Sequence, residues 1–297
     1  MSGALLIAPP AGFAPVEPRL AATVILVRPG VEAPLEALLQ MRHEKMTFMP
    51  GVFVFPGGRM DKGDTSPVLL ARTRGIGALA PQIAGLYIAA IRETFEECGV
   101  LLARPPGRDE LIDPARVAAL GDARVALNSK THSFEDFVLR EDLELAADLI
   151  RPFSRWITPW WNAQRYDTYF FVVAAPAEQD AAHDGGEAVE SLWLPLTRDR
   201  IGEVVAKKQL KPPTFASVDR LRTLGSLDAV FSADTALAFN PIDPWMERHG
   251  DDYFLVSQVY PDRTPDRLKI SNLSHLGMSK ELAMAIGAPP ALCNAAD

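Results

Sequence analysis

Arg92-Glu93-Thr94-Phe95-Glu96-Glu97-Cys98-Gly99-Val100 is the stretch on which the reading of this 297-residue chain turns. Upstream of it Ile83, Leu86, Tyr87, Ala90, Ile91 and Thr94 recur at helical spacing, so a helix is expected from about Pro81 to Cys98, with Gly99 as its stop. With Glu93 taken as zero and about 100° of rotation per residue, Glu96 falls near −60° and Glu97 near +40°. The three carboxylates then share one face. Like charges at i,i+4 weaken a helix by a few tenths of a kcal/mol, so the cluster is unfavourable unless a cation or solvent offsets it. Taken alone, such a string is most often a solvated acidic face. Two neighbours argue for more. Gly51 to Gly58, GVFVFPGG, suits a strand running into a Pro-Gly-Gly loop, where backbone can approach a phosphate or offer a carbonyl ligand. Gly99-Val100 closes the helix as if one face were fitted against a sheet. Carboxylate oxygens are the ligands that hard Mg2+ or Mn2+ prefers.

Outward from this centre, Leu20 to Val27 and Leu35 to Met41 read as two strands joined by a loop. Residues 109 to 150 read as helical and charged, with Ser133 as an N-cap followed by Asp136. Strands return at Phe153 to Trp161, Thr168 to Ala174 and Ala188 to Leu194, the last two separated by a polar loop, AEQDAAHDGGE, that reads as mobile. Beyond Thr197, helix-like segments alternate with Pro212-Pro213 and Pro241 to Pro244, and one further strand candidate is Tyr253 to Tyr260. Strands interspersed with helices exclude an all-α or all-β fold and favour a mixed α/β (α+β type) sandwich.

A 48% hydrophobic content allows a substantial core. The net charge of −8 and pI near 5.2 argue against a nucleic-acid coat, so an anionic ligand needs local help from a metal or a few arginines. Cys98 and Cys293, far apart and outside any CxxC, read as two ordinary reduced thiols. No apolar run approaches the roughly 20 residues of a membrane span. The N-terminal MSGALLIAPPAGFAP lacks a basic region, and NAAD is no SKL-type address, so a cytoplasmic location is expected.

Gly58, Arg92, Glu93, Glu96, Glu97, Gly99 and Val100 together resemble the Nudix hydrolase box, G-x5-E-x7-R-E-U-x-E-E-x-G-U with U a bulky apolar residue. There are three departures. Asp64 stands where the pattern has glutamate, 27 residues rather than 7 separate it from Arg92, an insertion of 20, and Thr94 replaces the apolar U. A split box, FMPGVFVFPGG at Phe48 to Gly58, and WITPWWNAQRYDTYFFV at Trp156 to Val172 resemble the Nudix motif 19 subgroup of coenzyme A diphosphatases. The resemblance covers about residues 18 to 260 and implies an α/β/α sandwich with a mixed sheet, an insertion inside the box and a helical C-terminal extension. Residues 18–197 are expected to form the core and 198–297 a mainly helical extension, with one single domain as the alternative. The insertion has three roles open to it: covering substrate, making a dimer contact or decorating the surface.

By this resemblance Glu93, Glu96 and Glu97 hold Mg2+ or Mn2+, Arg92 orients a glutamate, and the Gly57-Gly58 loop shapes the site. The chemistry implied is attack of a metal-activated water on one phosphorus of a P–O–P bridge, with a glutamate completing proton removal. That base is Glu93 or a loop carboxylate, Glu187 or Glu190, for which a plain loop or surface charge is an equal reading. Arg165 binds substrate phosphate or pairs with Asp167 to pin a strand junction. Arg42 and Lys45 reach a phosphate of coenzyme A or are simply surface cations, and Trp160 and Trp161 stack on substrate or pack in the core. The five histidines show no ligand spacing. The expected activity is cleavage of the diphosphate of coenzyme A or acyl-coenzyme A, a small-molecule partner, with no nucleic acid or membrane and a homodimer left open. ADP-ribose, NADH or a nucleoside triphosphate is the alternative substrate. A non-catalytic Nudix-fold ligand-binding module would be expected to lose helix carboxylates, and all three are kept.

Overall fold

Arg19–Arg28 and Glu36–Arg42 become adjacent central strands because both are near-continuous apolar runs, with Val24 to Val27 and Ala37 to Leu39 fully buried. The computed structural model that shows this describes residues 4–46, 50–183, 185–186, 188–207, 209–260 and 263–293. Neighbouring strands run in the order Ala188–Pro195, Glu36–Arg42, Arg19–Arg28, Tyr166–Ala174, Arg151–Ile157. Ala188–Pro195 is antiparallel to Glu36–Arg42, with Trp193 opposite Leu38 and Ser191 opposite Gln40. GVFVFPGG is split in two: Phe53–Val54 pairs with Glu36–Arg42, and Gly57–Arg59 pairs with Arg19–Arg28.

The decisive helix spans Pro81–Cys98, the bounds its periodicity predicts, with proline in the first turn and Gly99 left-handed at φ 74° as its cap. It buries Leu86, Ile88, Ile91, Phe95 and Cys98 in a cluster that includes Ala22, Val24, Leu26, Leu38 and Phe171. The insertion is part of that core. Ser66 caps a short helix, Pro67–Ala71, and Thr73–Arg74 pairs with Glu144–Ala146, which also pairs with Ala103–Arg104 to make a small three-stranded sheet. Leu69 and Ile76 are buried in the main cluster, so the insertion packs into the core, a role outside the three expected for it and at odds with mere surface decoration. Helices Pro114–Ala119, Gly121–Asn128 and Phe134–Arg140 occupy the middle of the expected helical region, toward whose end lies instead the strand Glu144–Ala146, and the Ser133 hydroxyl accepts from Asp136 N as the cap reading requires.

The loop after Ala174 departs from expectation. Leu101 N donates to Gln179 Oε1 at 2.9 Å, Gln179 Nε2 donates to Leu101 O at 3.2 Å, and Ala182 N donates to Cys98 O at 3.0 Å. Its polar composition signalled mobility, but those polar groups satisfy the backbone where the helix ends.

The chain forms two compact units. The larger comprises Leu20–Ser154 and Tyr169–Phe239; it includes the helices Arg198–Ala206, Pro212–Leu224 and Leu227–Ser232, so residues on either side of 197 are not separated. The smaller comprises Met1–Arg19, Arg155–Thr168 and Asn240–Asp297. In it Leu5–Ile7, Trp245–His249, Asp252–Ser257 and Asp266–Lys269 form a four-stranded antiparallel sheet, and Lys280–Ala285 is a short helix. This region carries more strand than its sequence announces: Asp266–Lys269 is exposed throughout and Trp245–His249 is rich in charge, so neither shows a strong apolar alternation. Trp161 is buried with Met246, Tyr253 and Leu273, and its Nε1 donates to Leu276 O at 3.1 Å, while Trp160 packs edge-on against Phe13. Both tryptophans thus have packing roles. Cys98 and Cys293 are buried and unbridged, as expected. No helix among the described residues is long and apolar enough to cross a membrane.

Because Leu69 is 1% exposed within the core, Leu69→Ala should destabilise the fold by about 2–5 kcal/mol in denaturant titration. An unchanged midpoint would show the insertion to be ornament.

Candidate active site

The site grows from one buried guanidinium. Arg92, 5% exposed, donates from Nε to Asp64 Oδ1 at 2.9 Å and from Nη2 to Asp64 Oδ2 at 3.0 Å. Its Nη1 donates to Glu93 Oε1 at 2.8 Å and to Glu96 Oε2 at 3.1 Å, and Nη2 also donates to Arg59 O at 2.9 Å. The fork-to-fork contact with Asp64 is the strong kind of charge-assisted pair. Asp64 reaches it from the single 3-10 turn Lys62–Thr65 and is fixed by Asp61 N, which donates to Asp64 Oδ2 at 2.7 Å. The position that departs from the box pattern is therefore an anchor for its arginine.

Two glycines let the helix carboxylates come close to backbone. Gly57 N donates to Glu97 Oε2 at 2.8 Å. A Cβ on Gly58 would fall 2.5 Å from Glu93 Oε1, so any side chain there would displace that carboxylate. At Gly57 a Cβ would lie 2.6 Å from Thr23 Cα and closer still to the Ala22 carbonyl. The glycine-bearing loop and the carboxylate face expected from sequence are thus in contact.

Electrostatics show how crowded the cluster is. Burial pushes the Glu93 carboxyl up to about 7; the Arg92 charge opposes that rise and Glu96 adds to it. Burial also raises Glu96 and Asp64, against the lowering influence of Arg92. For Arg92 burial alone would favour the neutral form, but the hydrogen bond to Asp64 and the charges of Glu93, Asp64 and Glu96 outweigh it and keep the guanidinium charged. Among the described residues Arg92 meets three carboxylates, those of Asp64, Glu93 and Glu96, and the Lys130 charge also acts on Glu96.

No group of three His, Cys, Asp or Glu side chains among the described residues converges tightly enough to enclose a metal ion. The donor set nevertheless fits a hard divalent cation bound at an open site. Glu93, Glu96 and Glu97 lie on one helix face, and Arg92 engages one oxygen of Glu93 and one of Glu96.

Other expected residues fare differently. Glu187 lies outside the described residues. Glu190 is exposed and registers with Met41, next to a bulge. Its neighbour Ser191 registers with Gln40, whose side chain reaches the helix, so alternation turns Glu190 to the opposite face. Arg42 ends its strand half-buried, its N–H donating to Val52 O and its carbonyl accepting from Gly51 N. Arg165, in the smaller unit, donates to Thr158 O at 2.8 Å and Val16 O at 2.9 Å. The expected alternative, an Arg165–Asp167 pair, is replaced by Arg155, which donates to both oxygens of Asp167 at 2.8 and 2.7 Å.

Sequence reasoning missed the residues that finish the helix: Arg124, Asn128 and Gln40 all donate to its terminal carbonyls. The i,i+4 spacing of Arg124 and Asn128 on one short helix is the sole trace of this in the sequence.

A mixed sheet carrying an RExxEE helix against a Gly-Gly corner is the arrangement of a Nudix hydrolase, and this chain is one. More narrowly, the family described as NUDT19 Nudix domain matches residues 66–221, more than half of the chain, which therefore belongs to it. The match begins just after Asp64. The acyl-coenzyme A diphosphatase NUDT19 of Gallus gallus is 30% identical, with 74% of this chain and 72% of that protein covered. The Homo sapiens protein of that name is 26% identical over 74% of this chain and 69% of its own length. For the Xenopus laevis one the figures are 24%, 71% and 66%, so the chain spans about two thirds to three quarters of these relatives. A crystal structure of a Nudix hydrolase from Alicyclobacillus acidocaldarius superposes with a TM-score of 0.60 at 27% identity, covering 74% of this chain and 98% of that one.

Asp64→Ala should leave Arg92 buried with two of its five hydrogen bonds gone and destabilise the protein by about 3–5 kcal/mol, read by denaturant melts; a loss under about 1 kcal/mol would contradict the anchoring role. A second expectation concerns pH. Glu93 ionises near 7 when folded against an ordinary 4.5, so between those values the folded chain holds the extra proton and loses stability as pH rises. Glu93→Gln should accordingly gain in Tm relative to the unsubstituted protein from pH 5 to pH 8 in chelator, and added Mn2+ should narrow that gap at pH 8. A Tm difference that stays flat with pH refutes it.

Proposed function

We propose that this chain is a divalent-metal-dependent diphosphatase that cleaves the P–O–P linkage of coenzyme A or acyl-coenzyme A, using Mg2+ or Mn2+ at Glu93, Glu96 and Glu97. The observation that carries the reading is the contact of Glu93 and Glu97 with the Gly57-Gly58 corner while Arg92 holds Glu93 and Glu96 from behind. The substrate class is taken from the relatives, which are named acyl-coenzyme A diphosphatases. When bound, the cation neutralises non-bridging phosphate oxygens and eases deprotonation of the attacking water.

The protein's share of the chemistry is positional. Arg92 fixes the rotamers of Glu93 and Glu96 through its Nη1. Gly57 N–H fixes Glu97, and Gly58 leaves room for Glu93. Glu93 is the residue we assign as proton acceptor. It is within the cluster, its carboxyl is raised toward neutrality by burial, and Glu190 registers on the other face of the sheet. A nearby cation would favour its ionised form, so its operating value is lower than in the metal-free chain. Arg42 and Arg165 stay as candidate substrate-phosphate contacts, Arg165 with a guanidinium already tied to two carbonyls. Two buried, unbridged thiols support a reducing, cytoplasmic setting.

The test is incubation with coenzyme A, an acyl-coenzyme A, ADP-ribose, NADH and nucleoside triphosphates in Mg2+ or Mn2+, with products read by mass spectrometry. Phosphopantetheine-type and adenosine bisphosphate products are expected, and Glu97→Gln should lower kcat by at least about 100-fold with the fold intact. Preference for another substrate in the panel would overturn the coenzyme A assignment. Full activity in both Glu96→Gln and Glu97→Gln would overturn the metal site.

A further inference from the structure

The helix that carries the carboxylates ends just after them, and helix ends are where such geometry is most easily lost. The last four carbonyls of an α-helix have no partner within the helix, and unpaired ends fray. Here those carbonyls belong to Phe95, Glu96, Glu97 and Cys98, so two of the three carboxylate-bearing residues lie in the turn most prone to fray. Every one of the four has a partner. Gly99 N donates to Phe95 O at 3.0 Å, and Ala182 N to Cys98 O at 3.0 Å. Arg124 supplies both middle ones, donating from Nε to Glu96 O at 2.9 Å and from Nη2 to Glu97 O at 2.7 Å. Asn128 Nδ2 adds a bond to Glu96 O at 3.0 Å and Gln40 Nε2 one to Glu97 O at 3.1 Å.

We infer that Arg124 is a positioning residue for the reaction: its guanidinium, bridging the Glu96 and Glu97 carbonyls, sets the backbone from which those two carboxylates project. This rests on the reading of Glu96 and Glu97 as metal ligands. The planar fork of arginine suits the task, because two donors at fixed spacing meet consecutive carbonyls at once, and its charge complements the negative end of the helix dipole. Lysine offers a point charge and cannot hold both carbonyls in that geometry. Arg124 also ties the loop to the helix, donating from Nη2 to Ala182 O at 2.9 Å. It lines a cavity of about 200 Å3 with Phe95, Gly99, Val117 and Gln179, so truncation of its side chain leaves a space that a small planar cation can enter.

The test compares Arg124→Ala, Arg124→Lys and Glu97→Gln in the full chain. Mn2+ binding to each protein without substrate is followed by electron paramagnetic resonance, and turnover of coenzyme A by steady-state kinetics. In Arg124→Ala the Mn2+ dissociation constant should rise and kcat should fall, each by about 10–100-fold, with KM for coenzyme A within about threefold. Arg124→Lys should lose less, and millimolar guanidinium should restore part of the loss in Arg124→Ala, which a general destabilisation would not show. Mn2+ binding and kcat within twofold of the unsubstituted protein in folded Arg124→Ala overturn the inference; if that variant does not fold, the same values in Arg124→Lys do so. Mn2+ binding lost in Glu97→Gln but kept in Arg124→Ala removes the positioning role alone, whereas binding unaffected in Glu97→Gln removes the metal-site reading beneath it.

Discussion

A guanidinium with 5% exposure among Asp64, Glu93 and Glu96 is the interaction on which the rest of this structure depends. Taking a charge out of water is expensive, and the protein tolerates it because each arm of Arg92 meets an oxygen, including the Arg59 carbonyl. The consequence reaches beyond the pair. Through Asp64 the arginine binds the turn that opens the insertion, through Arg59 it binds the strand bearing the glycine corner, and through Glu93 and Glu96 it orders its own helix. Three segments separated in sequence are fixed by one side chain, with the 20-residue insertion between two of them.

The fold supplies the approach that makes such a centre possible. Gly57–Arg59 pairs with Arg19–Arg28 and passes close to the helix because its residues at 57 and 58 have no Cβ to obstruct either neighbour. The helix is fixed from the other side by its apolar face, where Ile88, Ile91 and Phe95 are almost entirely buried. One face is thus fastened by hydrophobic packing, and the opposite, acidic face meets the Gly-Gly corner.

Most of this frame could be read before any coordinates, because periodicity and glycine placement are local signals. Pro81–Cys98 follows from its spacing and Gly99, and the shared carboxylate face from helical rotation, while the part of the Gly57-Gly58 loop in the site was implied by the likeness to the Nudix box. What was hidden depends on tertiary register. Asp64 looks a methylene too short for its role until a 3-10 turn brings its carboxylate up to Arg92. Asp167 lies two residues from Arg165 in sequence, yet the hairpin folds Arg155 beside it, and a bidentate pair forms there. Arg124 carries no motif, since capping another helix's carbonyls leaves only its i,i+4 spacing to Asn128 in the sequence around it. The polar loop after Ala174 illustrates the converse: its Gln179 amide mimics a strand partner for Leu101, a use of polarity that composition cannot distinguish from solvation.

Charge distribution explains why the centre is suited to a cation and not merely to its own arginine. Both oxygens of Asp64 are taken by Nε and Nη2 of Arg92, so a single nitrogen, Nη1, is left to serve Glu93 and Glu96 together. Gly57 N–H, a dipole, adds one bond to Glu97. Burial then penalises each ionised carboxylate, and Glu93 responds by holding its proton up to about 7. A helix that merely displayed acidic residues to water would relieve this repulsion by turning them outward. Here the Gly57-Gly58 contacts and the Arg92 bridge prevent that, so the repulsion is retained in the folded state as a preference for added positive charge at the carboxylate face.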